Sequence, residues 1–331
     1  MSSPFDAALW QELAADTARD GLVRRRVLPN LVHDVFIGEK RPSRERVLVL
    51  DIKGPPVGIP RKRSSSRGLM VEVDSSASDL VRIRLTSSST AEDPLFAELA
   101  ADVVGVLARN PGEGAAARLL GRVIAWQSSF ATRRDEFSPE RAAGLFAELT
   151  VLSTAFLPTI GASPSLSAWY GPDPAVQDFQ HGDIAVEVKS FRGNGPGQLL
   201  ISSERQLETI GVGELYVAYV RLDQRQEGTG VTLGKTIATL KNSISNSPFA
   251  YDLLQHRLLS YGWHNSYTEL RTEKYQVRSS ELFEVRSGFP RITSSNLPNG
   301  VREISYSVDR SAIEEFLVPW NVFADRLKER T

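Results

Sequence analysis

The stretch VQDFQHGDIAVEVKSF, residues 176–191, decides the fold. From Ile184 onward it alternates: Ile184, Val186 and Val188 face one way, and Ala185, Glu187 and Lys189 the other. A face turned to water would explain the glutamate and the lysine. A chemical explanation competes with it. Two charged residues two positions apart on one strand lie side by side, and with one more carboxylate they could hold a metal ion and a water over a phosphodiester.

Three aspartates lie close enough in sequence to supply that carboxylate. Asp183 shares the face of Glu187, but four residues of strand rise separate them by roughly 13 Å, and Asp183 reads as a turn residue in QHGD. Asp178 is the stronger candidate. If His181 and Gly182 centre a two- or four-residue turn, Phe179 pairs with Ile184 and Asp178 with Ala185. Paired residues point to the same side, so Asp178 joins Glu187 and Lys189 across a diagonal of roughly 7 Å. A three-residue turn would reverse this parity. Asp173, in the literal Pro-Asp of GPDPAV, would pair near Ser190 on the wrong face, with Pro174 placing it in a loop; it remains a rival.

The residue types suit phosphodiester hydrolysis. Mg²⁺ takes one or two carboxylates and a backbone oxygen, and a neighbouring lysine can position the nucleophilic water or stabilise developing charge. The chain has 8 lysines against 31 arginines and still places lysine here, where a compact point charge serves better than a planar fork.

Around this stretch the chain is ordinary in composition: 331 residues, 41% hydrophobic and 24% charged. It has no cysteine, which excludes disulfides and thiolate zinc sites, and its four histidines lack ligand spacing. The N-terminus has no basic head followed by an apolar run, and no apolar run reaches bilayer length, so a cytoplasmic chain without a membrane partner is expected. The net charge of −1 argues mildly against nucleic acid. The clusters Arg24–Arg26 and RKRSSSR at 61–67 soften that objection, although such clusters are more often solvated surface.

Residues 1–92 read as a short helix (LWQELAADTARDG) and then strands (RVLVLDIK, GLMVEVD, LVRIRLT) between Pro-, Gly- and Ser-rich loops. Residues 93–331 open with helices in DPLFAELAADVVGVLARN and GAAARLLGRVIAWQSSFA. SPERAAGLFAELTVLSTAF follows, with Ser138 as N-cap, Pro139 at the first helical position and Leu145, Leu149, Leu152 and Phe156 as its apolar stripe. Glu148 lies at the edge of that stripe. Next in order come a strand (SLSAWY), a strand (AVQDF), a strand (DIAVEVKSF), a helix (SSERQLETIG), a strand (ELYVAYVRLD) and a helix (GKTIATLKNSI). The pattern is α/β with a mixed sheet flanked by helices, preceded by a β-rich N-terminal domain. GTGVTLGKT at 228–236 lacks the spacing of a phosphate-binding loop, so Lys235 reads as an ordinary helix start.

Taken together, Asp178 and the Glu187-Val188-Lys189 triplet resemble the PD-(D/E)XK nuclease superfamily, with a restriction-endonuclease-like core of a helix, three strands, a helix and a strand. The resemblance implies Asp178 and Glu187 as metal ligands with the backbone carbonyl of Val188, and Lys189 as catalytic cation. Glu148 in GLFAEL is similar to an extra first-helix glutamate of many members, which implies a further metal ligand and catalytic residue, and Gln206 in SSERQL to a glutamine on the second core helix in some branches, which implies a catalytic role. One departure is that Gln177, not proline, precedes Asp178. More narrowly, AWQSSF, GLFAELTVL, WYGP, VEVKS and SSERQL resemble the prokaryotic "PD-(D/E)XK motif protein" family, over most of the chain. That family's association with restriction and phage-defence neighbourhoods implies DNA as substrate.

Two readings of function stand open. One is a Mg²⁺-dependent DNA endonuclease, with Mn²⁺ as an alternative ion, in a restriction or phage-defence system. The other is a catalytically silent subunit that keeps the fold to bind DNA or assemble a defence complex. Partners from the same system and a homo-oligomer are compatible with both.

Overall fold

A computed structural model gives the fold of residues 5, 10, 12–13, 15, 19–66, 68–87, 94–131, 137–171, 177–193, 195, 197–225 and 228–330. The chain forms two compact units, residues 1–136 with 262–266, and residues 137–261 with 267–331.

The first unit contains strands β1 (Gly21–Val27), β2 (Asp34–Arg41), β3 (Glu45–Lys53), β4 (Lys62–Ser66), β5 (Leu69–Asp74) and β6 (Leu80–Ser87). Among the described residues they form one antiparallel sheet in the order β1-β2-β3-β6-β5-β4. Alternating aliphatic residues line one face of the sheet: Val35, Ile37, Leu48, Leu50, Val71, Val73, Ile83 and Leu85 are buried. Helices α1 (Pro94–Arg109) and α2 (Ala115–Ala131) belong to this unit. The indole of Trp126 ties them by donating to Asp102, at 2.8 Å. The sequence division at 92/93 had placed these helices with the nuclease-like part; the compact unit runs on to residue 136 instead.

In the second unit, helix α3 (Pro139–Val151) begins as the sequence predicts. Ser138 Oγ accepts from the Arg141 amide at 3.2 Å and Pro139 takes the first position. The helix continues through a π-turn (Leu152–Phe156) to Ile160. This 22-residue run, 139–160, is long and apolar enough by itself to cross a bilayer, which corrects the expectation that no such run exists. Its apolarity has a local cause: Leu145, Leu149, Leu152 and Phe156 are all buried, as a helix enclosed on several sides requires.

Helix α4 (Ala162–Ala168) follows, then β7 (Phe179–His181), β8 (Ile184–Arg192), β9 (Gln198–Ile201), β10 (Glu214–Arg225), β11 (Val231–Thr232), α5 (Leu233–Ser243), α6 (Pro248–Tyr261), β12 (Lys274–Glu284), β13 (Tyr306–Asp309), β14 (Leu317–Val318) and α7 (Trp320–Lys328). The main sheet runs β11-β12-β10-β8-β7, with β14 beside β12, and β9 pairs β13 separately. β8 lies parallel to β10 and antiparallel to β7, so the sheet is mixed as expected. Helix α3 packs on one face, where Phe156 stacks on Phe179 at 4.5 Å and Phe146 meets Tyr275 at 4.8 Å. The other face buries Ala185, Leu215, Val217, Tyr219 and Phe283. β8 is therefore enclosed on both sides, and the reading of its second face as water-facing fails.

Three predicted elements differ. SLSAWY is not a strand: the Ser165 amide bonds to Gly161 and the Trp169 amide to Ser165, four residues back each time. Leu166 and Trp169, three apart, are buried on one helical face, and a helical period had been read as strand alternation. SSERQLETIG yields only a 3₁₀ turn, Glu204–Leu207, capped by Ser203. Of AVQDF, strand pairing begins at Phe179; Asp173 and the rest of residues 172–176 lie outside the described residues, as does part of the first predicted helix. Thr232 caps α5 by accepting from the Lys235 amide, so GTGVTLGKT is a plain helix start.

Candidate active site

The β7–β8 turn fixes the placement of Asp178. Phe179 pairs with Val186 and His181 with Ile184, leaving Gly182 and Asp183 as a two-residue turn. The pairing differs by two residues from the expected one, which preserves the side-chain parity and carries Asp178 from opposite Ala185 towards Glu187. β7 begins at Phe179, opposite Val186, and among the described residues no strand pairs the β7-side edge of β8 beyond that point. The Asp178 carboxylate takes that place: its Oδ2 accepts from the Val188 amide at 2.7 Å. The carbonyl of Val188 shares that side with its N–H.

Asp178 is anchored through its own carbonyl, which accepts from the Tyr170 amide at 2.8 Å and the Gly171 amide at 3.3 Å. Gly171 has φ 50°, and a Cβ there would lie 2.9 Å from the Trp169 ring. Glycine is thus required by both conformation and space. Gln177, in the position where the motif carries proline, is buried and donates at 3.4 Å to the carbonyls of Gln206 and Glu208.

Glu187 is 3% exposed. Lys189 Nζ reaches its Oε1 at 2.8 Å and donates to Gln206 Oε1 at 2.9 Å. Gln206 Oε1 also accepts from the Ser202 amide at 2.9 Å, so the 3₁₀ turn holds the amide that holds the lysine. Glu148 comes from α3. It is 5% exposed, buried rather than at the edge of its stripe, and both its oxygens are engaged: Trp169 Nε1 donates at 2.8 Å and the Tyr261 hydroxyl at 2.9 Å.

The family model described as "Putative PD-(D/E)XK family member, (DUF4420)" matches residues 7–311. The chain belongs to this PD-(D/E)XK family. No curated protein and no solved structure matches it. The family fits the mixed sheet and its flanking helices, so the fold is restriction-endonuclease-like, with the β-rich region before it. In this PD-(D/E)XK protein, Asp178, Glu187 and Lys189, the residues expected from the sequence to form the motif, lie close together, with Gln206 against the lysine and Glu148 within their electrostatic reach.

The electrostatics of the pocket are those of crowded acids. Burial pushes Glu148 up to about 7, against the two donors that favour its ionised form, and the Glu187 charge pushes the same way. Burial, then the charges of Glu187 and Glu148, hold Asp178 well above the usual carboxylate range, despite the Val188 amide. Burial raises Glu187 as well, opposed by Lys189. Fully ionised, three carboxylates and one ammonium would leave a net charge of −2 in a site where Glu148 and Glu187 are buried and Asp178 and Lys189 half-buried.

Such a donor set fits a hard divalent cation, which takes all-oxygen ligands and keeps several waters. Among the described residues no three acidic, histidine or cysteine side chains form a ready-made metal cage. Two carboxylates, Asp178 and Glu187, with the Val188 carbonyl would therefore form the protein's share, and Glu148 would stand behind them, held by its own donors. Sequence reasoning missed Trp169 and Tyr261 as the partners of Glu148. They lie 21 and 113 residues from it, and no local pattern connects them.

Proposed function

We propose that this PD-(D/E)XK protein is a Mg²⁺-dependent DNA endonuclease that accepts Mn²⁺. The carrying observation is Glu187: a glutamate 3% exposed, in the buried half of β8, beside Lys189 and near buried Glu148 and half-buried Asp178. A surface ion pair needs no such burial, and a structural role is better served by apolar residues, because an enclosed ion pair gains little over them.

Asp178, Glu187 and the Val188 carbonyl would hold the cation, which supplies positive charge against the negative charge developing on the phosphodiester. Lys189, fixed by Glu187 and Gln206, would direct its one remaining N–H bond at the attacking water or a reacting oxygen. Glu148 keeps Asp178 and Glu187 under like-charge pressure that a bound cation relieves. A role in a prokaryotic restriction or phage-defence system, in the cytoplasm and with partners from that system, rests on the family resemblance.

The test is incubation of the full chain with supercoiled plasmid in Mg²⁺, Mn²⁺ or chelator, beside Glu187→Ala and Lys189→Ala. Metal-dependent nicking lost in both variants is the expected result. DNA binding without cutting in either metal would favour the silent subunit.

A further inference from the structure

The candidate active site is a poor source of DNA affinity. It gathers three carboxylates around a single lysine already paired with Glu187, whereas affinity for nucleic acid comes mainly from cations on backbone phosphates. The chain as a whole, at −1, supplies no general attraction. The phosphate contacts must therefore be concentrated somewhere.

The first unit has such a place. At the β4–β5–β6 end of its sheet lies a groove of about 420 Å³ lined by five cations and two carboxylates. Arg61, Lys62 and Arg63 approach from the β4 side, and Arg82 and Arg84 from β6. β5, between them, contributes Glu72 and Asp74. Arg82 is taken up by Asp51, which accepts from it twice, at 2.6 and 2.7 Å. Counting Asp51 as a third carboxylate still leaves an excess of two cations.

The other arginines are oriented without being saturated. Arg63 and Arg84 share Glu72 at 3.5 and 3.3 Å, and Arg61 stands 3.5 Å from Asp74. A tight charge-assisted bond spans about 2.7–2.9 Å. The Arg61 and Arg63 side chains are 71% and 72% exposed. Arg61 lies just ahead of β4 and Arg63 within it, two residues apart; extended chain of that length spans roughly 7 Å, a repeat comparable to successive phosphates on one nucleic-acid strand. Guanidinium forks suit phosphate oxygens better than ammonium groups do.

We infer that this groove holds the phosphate backbone of duplex DNA. The inference deepens the nuclease reading and rests on it for the identity of the polyanion. Arg61 and Arg63 are its outer contacts, and Arg84 the inner one.

The experiment measures binding of the full chain to a labelled duplex in chelator, where cleavage is suppressed, between about 50 and 200 mM salt. Arg61→Ala/Arg63→Ala is compared with wild type, with Arg302→Ala as an exposed control in the other unit, and with Arg61→Lys/Arg63→Lys. The alanine pair is expected to weaken binding by roughly tenfold at the higher salt and to flatten the slope of log Kd against log salt by about 2. The control leaves both unchanged, and the lysine pair restores the slope. An alanine pair that binds with wild-type affinity and slope overturns the inference, as does a wild type with no duplex affinity. So does inorganic polyphosphate that displaces the duplex at equal phosphate concentration. A wild type that binds through this groove yet never cuts in Mg²⁺ or Mn²⁺ overturns the nuclease reading alone.

Discussion

Glu148 is where the acidity of the pocket can be read directly. In the metal-free fold its pKa is raised from 4.5 to about 7, so the folded chain holds this proton more tightly than the unfolded chain. That stabilisation is complete below pH 4.5 and is lost as pH rises through 7. Glu148→Gln escapes the loss. In chelator at pH 8 the variant should melt above wild type, with the advantage gone by pH 5. The shift corresponds to ~3 kcal/mol, less about 1 kcal/mol for the donor that the amide leaves unpaired. A variant less stable than wild type at both pH values would contradict the cause assigned to the shift. Gln206 acts differently, by fixing the lysine. Gln206→Ala should slow cleavage roughly tenfold while leaving Mn²⁺ affinity within about twofold, read from single-turnover rates beside calorimetry; equal loss of both would move Gln206 to the metal. The alternation of β8 made Glu187 and Lys189 legible in the sequence, because strand parity is a local property. The burial of Glu148 was not, because its donors come from α4 and α6.

The elements show why the hairpin mattered more than its predicted details. Its register differed by two residues, and an even error leaves every side chain on its face. Asp178 keeps its expected side of the sheet for that reason; an odd error would have turned it to the other. SLSAWY misled because Ser, Leu and Ala at short range satisfy both periods, and the Gly161 restart that settles the matter is a tertiary feature. The helix carrying Trp169 then proves to anchor the site. Gly171→Ala should cost about 1–2 kcal/mol from its positive φ, and more from the displaced indole, seen as a lower urea midpoint. Cleavage should fall further than stability alone explains, since the Gly171 amide helps to hold Asp178. Unchanged midpoint and rate would remove Gly171 from the anchor.

At the scale of the whole molecule, the order helix, hairpin, strand was readable from the chain, and so was a β-rich beginning. The extent of the first unit was not. α1 and α2 have apolar stripes that would suit either partner, and only the tertiary fold groups them with the N-terminal sheet. If a divalent cation relieves the charge of three crowded carboxylates, it stabilises the whole second unit. At a hundredfold excess over Kd, Mg²⁺ should add about 2.7 kcal/mol, visible as a higher melting temperature at pH 8 and absent in Asp178→Asn. The ion must also displace protons from the raised carboxylates, so affinity should fall below about pH 7, where Glu148 protonates. The most direct single measurement is calorimetric titration of Mn²⁺ into wild type, Glu187→Gln and Lys189→Ala at pH 8. A metal centre built on Glu187 predicts binding by wild type, its loss in Glu187→Gln and its retention in Lys189→Ala. No heat of binding in wild type, or equal binding by all three, would contradict it.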